Sequence, residues 1–548
     1  MKLITRQNAI PRSLLTILLG CLLFSSLIAQ RKERVIDSWQ PTHFDVAITF
    51  DNSLSRIASA TTTIDVKSRK NNLTTVDLDF GSMPVSGVTV DGRSAKFAQH
   101  DEKLDVMLDT PPRVNQNLRI SVSYSGVPKD GLILSKDKDG VPSAIGDNWA
   151  DRVHHWIPCL DHPSAKASVT FTVTASSEYE TVANGTQQSK IASPNSTTTW
   201  VFNEDRPVSP YNMVVAVGRF ATGKLNSPSN LPITYYVPQA DARYAERGFS
   251  PAAPSVLTFS NLVAPYPYKK LALIIGATRF GGMENANTIV FPPNYFRSFD
   301  AIEKRGKRFD VPASVEETDA HEIAHQWFGD SVTESTWSDL WLSEGFATYF
   351  AGLFLERNES RERFKDYMRK NAVSYLRYEK TRRAPIYDTK TEKLFDLLNP
   401  NNYEKGSWVL HMLRGFIGDK AFFAGLKNYY NRHKDSVAST EDLRIALEKT
   451  SGRDLKDFFD RWIYKAGHPI YQIRWSSHGR RMIEVTLTQK QDDEPFLQPV
   501  TVEISTKTGV KRVTITPKAK ETSVSVRSAK PTKIVIDPDE AILKEVLN

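Results

Sequence analysis

The chain has 548 residues, of which 24% are charged, and its formal net charge is +8. This length allows large hydrophobic cores that need no disulfide bonds. The charged residues are interspersed and form no long basic run, so composition and charge argue against nucleic-acid binding, and we expect no nucleic-acid partner.

The first 29 residues have the pattern of a secretory signal peptide. Three basic residues precede an uncharged apolar run from Ser13 to Ala29, as in the charged and apolar regions of such signals. We predict that residues 1–29 are cleaved off and that the protein is exported, either to the periplasm or as a secreted protein. Two alternatives remain open: the apolar run could stay as a membrane anchor, or Cys21 could carry a lipid. Membrane contact is expected only through such an N-terminal anchor.

The spacing of apolar residues divides the rest of the chain into three segments. Residues 30–236 contain short alternating runs separated by Gly, Asn, Asp and Pro, which is typical of an antiparallel β domain. Residues 237–468 have helical apolar spacing, with one strand predicted in LALIIGATRF. Residues 469–548 alternate again in runs about ten residues apart, which indicates a small β-sandwich. The predicted fold class is therefore multidomain α+β.

The stretch HEIAHQWFGD, which begins at His321, contains two histidines four residues apart. A His-Glu-x-x-His pattern is expected only about 0.01 times by chance in a chain of this composition. Residues four apart lie on one face of an α-helix, so His321 and His325 can share one metal ion, and Glu322 lies beside them. The predicted helix has an N-cap, a capping-box partner and a terminal glycine at Ser314, Glu317 and Gly329.

A catalytic zinc ion needs three protein ligands and an open position for water. The candidate for the third ligand is Glu344, which follows His325 after eighteen residues. The apolar spacing from Ser338 onward predicts a second, buried helix around it, and Gly345 would let that helix pack closely. Alone, Glu344 would be interpreted as a carboxylate at a helix N-terminus; beside an intact HEIAH, the ligand interpretation is favoured.

Taken together, HEIAH, the eighteen-residue gap and WLSEGFA resemble the gluzincin aminopeptidases of peptidase family M1, typified by aminopeptidase N and leukotriene hydrolase. FGGMENANTIVF resembles the exopeptidase motif of that family, and YEKGSWVLHML resembles its helix with a catalytic tyrosine. WIPCLDHPSAKASVTFTV and FFDRWIYKAGHPIYQI resemble the N-terminal domain junction and the end of the catalytic domain. The resemblance covers nearly all of the chain after the signal peptide. It implies a thermolysin-like catalytic domain at 237–468, in a short form that lacks the helical C-terminal domain of many members.

The metal site and the resemblance together imply one Zn²⁺ per chain, held by His321, His325 and Glu344. The metal would lower the pKa of water toward ~7. Glu322 would then act as general base, first accepting the proton of the water and later delivering it to the departing amine. Tyr403 is identified by the resemblance as the donor that stabilises the oxyanion.

The resemblance also implies a substrate-binding loop, in which Glu284 would bind the free α-ammonium group of a peptide. Its neighbours would lie along the substrate: Gly281, Gly282 and Met283. Many family members place a Gln and a Glu twelve and ten residues before the equivalent of Cys159, where this chain has Asp147 and Trp149. Asp147 could therefore substitute as a second carboxylate. Trp149 or Met283 could contact the first substrate side chain, which would favour apolar residues.

The resulting prediction is an exported zinc metallopeptidase, a hydrolase that removes N-terminal residues from peptides with a free N-terminus. One alternative is an endopeptidase or epoxide hydrolase that uses the same site. Another is a non-catalytic binding protein, which the presence of Glu322 disfavours. Three further histidines, His154, His155 and His162, have no recognisable ligand spacing and are interpreted as surface or hydrogen-bonded residues. No oligomeric state follows from the sequence.

Overall fold

The computed structural model of the protein describes residues 31–34, 37–137, 139–227, 230–299, 311–478 and 481–547. The predicted signal peptide at 1–29 lies outside these ranges. Within them, no helix combines the length and the apolar character needed to cross a membrane.

The N-terminal domain packs three sheets around one hydrophobic core. Its eight-stranded sheet has the order β13-β14-β11-β1-β2-β8-β4-β5. Every pairing in it is antiparallel except that of β1 with β11, which is parallel and corrects the expectation of a wholly antiparallel domain. Alternate residues such as Phe44, Val46 and Ile48 face the core and are buried. The strands are β1 Trp39–Phe50, β2 Ile57–Ser68, β3 Thr75–Asp79, β4 Val85–Val90, β5 Arg93–Ser94, β6 Phe97–His100, β7 Lys103–Met107, β8 Asn117–Gly126, β9 Leu132–Lys136, β10 Pro142–Gly146, β11 Ala167–Ser176, β12 Glu180–Ala183, β13 Thr186–Ser193, β14 Thr197–Val208 and β15 Val215–Gly218.

The central domain combines a four-stranded sheet with a group of helices. The sheet has the order β16-β17-β18-β19, and the predicted domain boundary after residue 236 falls inside β17. Because β17 pairs with both β16 and β18, the strands from 220 onward belong to the sheet of the central domain. The strands are β16 Phe220–Leu225, β17 Ile233–Pro238, β18 Leu271–Ile275, β19 Thr288–Phe291, β20 Val332–Glu334 and β21 Ser436–Ala438. The α-helices in the described residues are α1 Ala242–Gly248, α2 Ala252–Leu262, α3 Ala313–His325, α4 Trp341–Asn358, α5 Arg361–Glu379, α6 Gly406–Ile417, α7 Asp419–His433, α8 Thr440–Ser451 and α9 Lys456–Trp462.

Helix α3 carries the HEIAH stretch, but its ends differ from the prediction. The N-cap is Pro312, in extended conformation, and Ser314 already lies within the first turn. The helix ends at His325, four residues before Gly329. Pro has a fixed φ that suits a helix start, and no side chain makes the capping hydrogen bond that was expected from Ser314.

Helix α4 packs against α3 and is buried over nearly its whole length, from Trp341 to Leu355. A 3₁₀ turn at Trp337–Asp339 precedes it, so the helix begins three residues later than predicted. A Cβ added to Gly345 would lie 3.0 Å from the Cα of Gly406 and 3.0 Å from the carbonyl oxygen of Asn402. The predicted close packing at this glycine is confirmed, and it brings the segment that carries Tyr403 against α4.

The C-terminal segment forms two further sheets, in the orders β26-β23-β22-β28 and β25-β24-β27. Their buried faces share one hydrophobic cluster, which includes Val485 and Leu487 of one sheet and Val502 and Ile504 of the other. The first strand begins at Ile470, directly after the predicted boundary. The strands are β22 Ile470–Ser477, β23 Met482–Gln489, β24 Val500–Thr506, β25 Gly509–Ile515, β26 Glu521–Arg527, β27 Pro531–Ile536 and β28 Glu545–Leu547.

Candidate metal centre and active site

Three side chains from α3 and α4 meet in a compact triangle. The Nε2 atoms of His321 and His325 are 3.1 Å apart, and each lies 3.3 Å from Oε2 of Glu344. A tetrahedral zinc ion with ligand distances of about 2.0 to 2.2 Å separates its ligand atoms by about 3.3 to 3.6 Å. The triangle therefore fits one zinc ion with little adjustment.

The groups around the triangle leave its three ligand atoms available to a metal ion. Nδ1 of His325 lies 2.9 Å from Oγ of Ser343 and 3.2 Å from the carbonyl oxygen of Phe328, which leaves Nε2 for the metal. Oε2 of Glu344 is buried and has no hydrogen-bond partner among the described residues. Burial acts to raise the pKa of Glu344, but the two histidines outweigh it and lower that pKa to about 2. The ligands thus present a negative carboxylate and imidazole nitrogens to a cation.

Glu322 lies next to the triangle and lines the same cavity. Burial raises the pKa of its carboxyl group well above the ordinary value, and the neighbouring Glu284 and Glu344 raise it further. A divalent cation in the triangle would oppose these effects and favour the carboxylate. Glu322 is thereby placed to exchange a proton with a water molecule beside the metal.

The position of Glu322 depends on Gly282, since a Cβ at that glycine would overlap the Glu322 carboxylate. We expect Gly282→Ala to displace the carboxylate and to lower kcat by about 10²-fold, the usual effect of an error near 1 Å in a catalytic group. Gly281→Ala is the matched comparison, because its added Cβ meets no atom within 4 Å. Steady-state kinetics should show a loss at least tenfold smaller for Gly281→Ala; equal losses would contradict the steric explanation.

The substrate-binding loop is attached to the metal-binding helix through Gln326, the residue after His325. Its Nε2 donates to the carbonyl oxygen of Glu284 at 2.9 Å, and its Oε1 accepts from the amide of Asn287 at 2.7 Å. Gln326 is not among the residues predicted from the sequence, although a glutamine directly after the second histidine is a visible signal. The contacts hold Glu284 close to the metal site, where one oxygen each of Glu284 and Glu322 lies within 4.8 Å of a ring nitrogen of His325.

Tyr403 lies in a π-helical turn, Asn401–Lys405, that packs against α4. Its ring is parallel to the ring of His321, with centroids 5.9 Å apart, and it lines the cavity. Burial, together with the carboxylates of Glu344 and Glu284, raises the pKa of Tyr403 well above its ordinary value. The hydroxyl group therefore stays protonated and can act as a hydrogen-bond donor.

The cavity has a volume of about 310 Å³ and includes every predicted site residue except Asp147. Apolar side chains form part of its wall: Trp149, Phe280, Met283 and Leu398. Asp147 is fully buried; it pairs with Arg152 at 2.8 Å and accepts a hydrogen bond from Thr278 at 2.8 Å. Both of its oxygens are engaged, so Asp147 does not line the cavity as the predicted second carboxylate, whereas Trp149 does.

Two parts of the chain match models of one protein family. Residues 40–212 match the family model described as the peptidase M1 N-terminal domain, and residues 255–462 match the model described as the peptidase family M1 domain. The two matches together cover more than half of the chain.

Several curated relatives are named aminopeptidases. Aminopeptidase 2 of Candida albicans is 24% identical over 89% of this chain and 54% of its own length. Tricorn protease-interacting factor F2 of Thermoplasma acidophilum is 26% identical over 80% of this chain and 55% of its own length. Human glutamyl aminopeptidase is 30% identical over 58% of this chain and 33% of its own length. The first two matches extend over about half the length of each relative.

Proposed function

Because the chain belongs to peptidase family M1, we propose that it is a metal-dependent aminopeptidase that removes N-terminal residues from peptides. The observation that carries this proposal is the meeting of a three-ligand triangle, Glu322 and Glu284 in one cavity. The triangle and Glu322 account for hydrolysis of a peptide bond. Glu284, a carboxylate close to them, accounts for recognition of a free α-amine.

In this proposal one zinc ion is held by His321, His325 and Glu344. When bound there, it supplies Lewis acidity and lowers the pKa of water to about 7. Glu322 takes a proton from the attacking water as the new carbon–oxygen bond forms. The same carboxyl group returns the proton to the departing nitrogen when the carbon–nitrogen bond breaks, which leaves a free amino acid and a shortened peptide.

Two further side chains position the reacting groups. The protonated hydroxyl of Tyr403 donates to the oxyanion that develops on the carbonyl, a contact of a kind that typically supplies about 3 kcal/mol of transition-state stabilisation. Glu284 accepts hydrogen bonds from the α-ammonium group, so the first peptide bond is the one presented for attack. Backbone groups of Gly281 and Gly282 lie beside the extended substrate.

A chelation experiment tests the metal dependence. The protein would be stripped with a chelator, reloaded with zinc, and assayed on a chromogenic aminoacyl anilide, which carries a free amine. We expect hydrolysis to disappear on stripping and to return with about one zinc per active site. Hydrolysis that persists without metal would contradict the proposal.

We also propose a preference for apolar or aromatic first residues, because Trp149, Phe280 and Met283 line the cavity. Trp149 makes edge-to-face contacts with Phe280 and Phe395, at centroid distances of 6.1 and 5.8 Å. An apolar substrate side chain would extend this cluster and gain from its burial.

Trp149→Leu is expected to lower the selectivity for an N-terminal Phe over an N-terminal Ala by about tenfold, the usual effect of losing apolar contact in a pocket. The ratio of the two kcat/KM values measures it. Trp475→Leu, at a partly exposed position on β22, is the matched control and should leave the ratio unchanged. An unchanged ratio in Trp149→Leu would exclude Trp149 as part of the pocket.

The cellular location is a separate proposal. The N-terminal pattern of basic residues and an apolar run supports export, with action in the periplasm or outside the cell. Peptides with free N-termini are the substrates that such a protein would meet there.

A further inference from the structure

A second group of metal-ligating side chains lies in the N-terminal domain. His154 and His155 belong to a 3₁₀ helix, Val153–His155, and Glu102 lies in the turn between β6 and β7. One ligand atom from each of the three lies within 4.8 Å of the other two. We call these residues the Glu102 cluster; none of them lines the active-site cavity.

The ring of His154 makes the hydrogen bond to a carboxylate that is usual for metal-binding histidines. Its Nδ1 lies 2.8 Å from Oδ2 of Asp161, and the same oxygen accepts from the His154 amide at 3.0 Å. Asp161 is itself held, because its amide donates to Asp79 at 2.9 Å. A carboxylate at Nδ1 fixes the tautomer and leaves the lone pair of Nε2 free, as is usual for histidines that bind metals.

The free Nε2 of His154 faces another acceptor. It lies 3.8 Å from Oε2 of Glu102, which is too long for a hydrogen bond. An imidazole lone pair and a carboxylate at that separation repel each other unless a positive charge lies near both. That charge is either a proton on His154 or a cation between the two atoms.

His155 adds a second nitrogen ligand. Its ring centroid is 4.2 Å from that of His154, and its Nδ1 is buried with no hydrogen-bond partner in the described part of the chain. Two imidazoles this close do not both accept protons readily, because the charges would repel. A single dication avoids the repulsion and serves both rings.

The charge around the cluster favours a cation. The carboxylates of Asp161, Asp151 and Glu102 favour positive charge at His154, and Glu102 also favours it at His155. Lys129 contacts the cluster through the other oxygen of Glu102, since its Nζ is 3.0 Å from Oε1, so Oε2 stays available. Glu102 is about half exposed, which leaves room for water to complete a coordination sphere.

We propose that Glu102, His154 and His155 bind a second transition-metal dication, of the class that prefers imidazole and carboxylate ligands, such as zinc. The ion links the β6–β7 turn to the 3₁₀ helix, which begins four residues after Trp149. The site does not depend on the proposed peptidase activity, so either one can fail without the other.

Metal stoichiometry tests the proposal on the full chain. Protein stripped with a chelator would be equilibrated with zinc, and bound metal would be counted by mass spectrometry. We expect two equivalents for the native protein, and one for Glu102→Gln and for His155→Ala, with hydrolytic activity retained in both variants. His478→Ala, at an exposed histidine elsewhere, should keep two equivalents. A native stoichiometry of one, or a second equivalent that persists in both cluster variants, would overturn the proposal.

Cobalt gives an independent measurement should a variant fold poorly. In a His321→Ala background the first site is disabled, and the Glu102 cluster is expected to bind one Co²⁺ with a visible d–d absorption band. Glu102→Gln in that background should weaken cobalt binding at least tenfold, whereas His478→Ala should not change it. An absorption band insensitive to Glu102→Gln would overturn the assignment.

Discussion

Glu322→Gln is expected to lower kcat/KM by about 10²- to 10⁴-fold, the range that general acid–base catalysis contributes. The amide keeps the size of the side chain but cannot accept the proton of water. Because Glu322 contributes no atom to the metal triangle, the variant should bind as much zinc as the native protein. Kinetics and metal analysis on the same preparation give both values.

The matched control for this variant is Glu316→Gln, on the same helix but outside the cavity lining. It should leave both activity and metal content unchanged. An active Glu322→Gln would contradict the role of the base. An inactive Glu322→Gln that has also lost its metal would show a structural effect instead.

Glu284→Gln should lower kcat/KM for peptides with a free N-terminus by about 10²-fold. A buried charge-assisted contact is worth about 3 kcal/mol, and each 1.4 kcal/mol changes the rate about tenfold. The Glu284 side chain is buried, and burial raises its pKa to about 7 in the free protein. An α-ammonium ion bound beside it would favour the ionised carboxylate.

The affected kinetic parameter separates two roles of Glu284. If the carboxylate holds the amine equally in the ground and transition states, KM rises and kcat is retained. If it only supports Glu322, kcat falls and KM for the free-amine substrate is retained. The expected result is a rise in KM for free-amine substrates with kcat retained.

Local geometry explains why the metal helix could be predicted from the sequence. His321, Glu322 and His325 lie within one turn and a half of α3, so their relative placement follows from helix geometry alone. Glu344 lies on another helix, and its approach depends on packing at Gly345 and Gly406. Glu344 could be predicted as the third ligand because of the motif resemblance and because glycine suits a close contact between helices.

Asp147 shows where counting residues fails. The count places it at the position of a family substrate ligand, but the direction of its side chain is decided by Arg152 and Thr278. Those partners satisfy the carboxylate inside the protein, so the cavity receives Trp149. Neither contact leaves a local pattern in the sequence.

Neither the Glu102 cluster nor the position of the domain boundary could be predicted from the sequence, and the physical reason is the same. His154 and Glu102 are brought together by the pairing of separate segments, and no spacing within either segment indicates it. The change in apolar spacing predicts a boundary after residue 236. Strand β17 nevertheless pairs with β18 across that boundary, because hydrogen-bonded partners are chosen in three dimensions.

The most direct test of the central claim uses zinc-loaded protein and one short peptide in two forms, free and N-acetylated, with products identified by mass spectrometry. We predict stepwise loss of N-terminal residues from the free peptide and no cleavage of the acetylated one. Internal cleavage of both forms would contradict the claim and assign the site to an endopeptidase. No cleavage of either form would contradict peptide hydrolysis and leave the epoxide-hydrolase or binding alternatives.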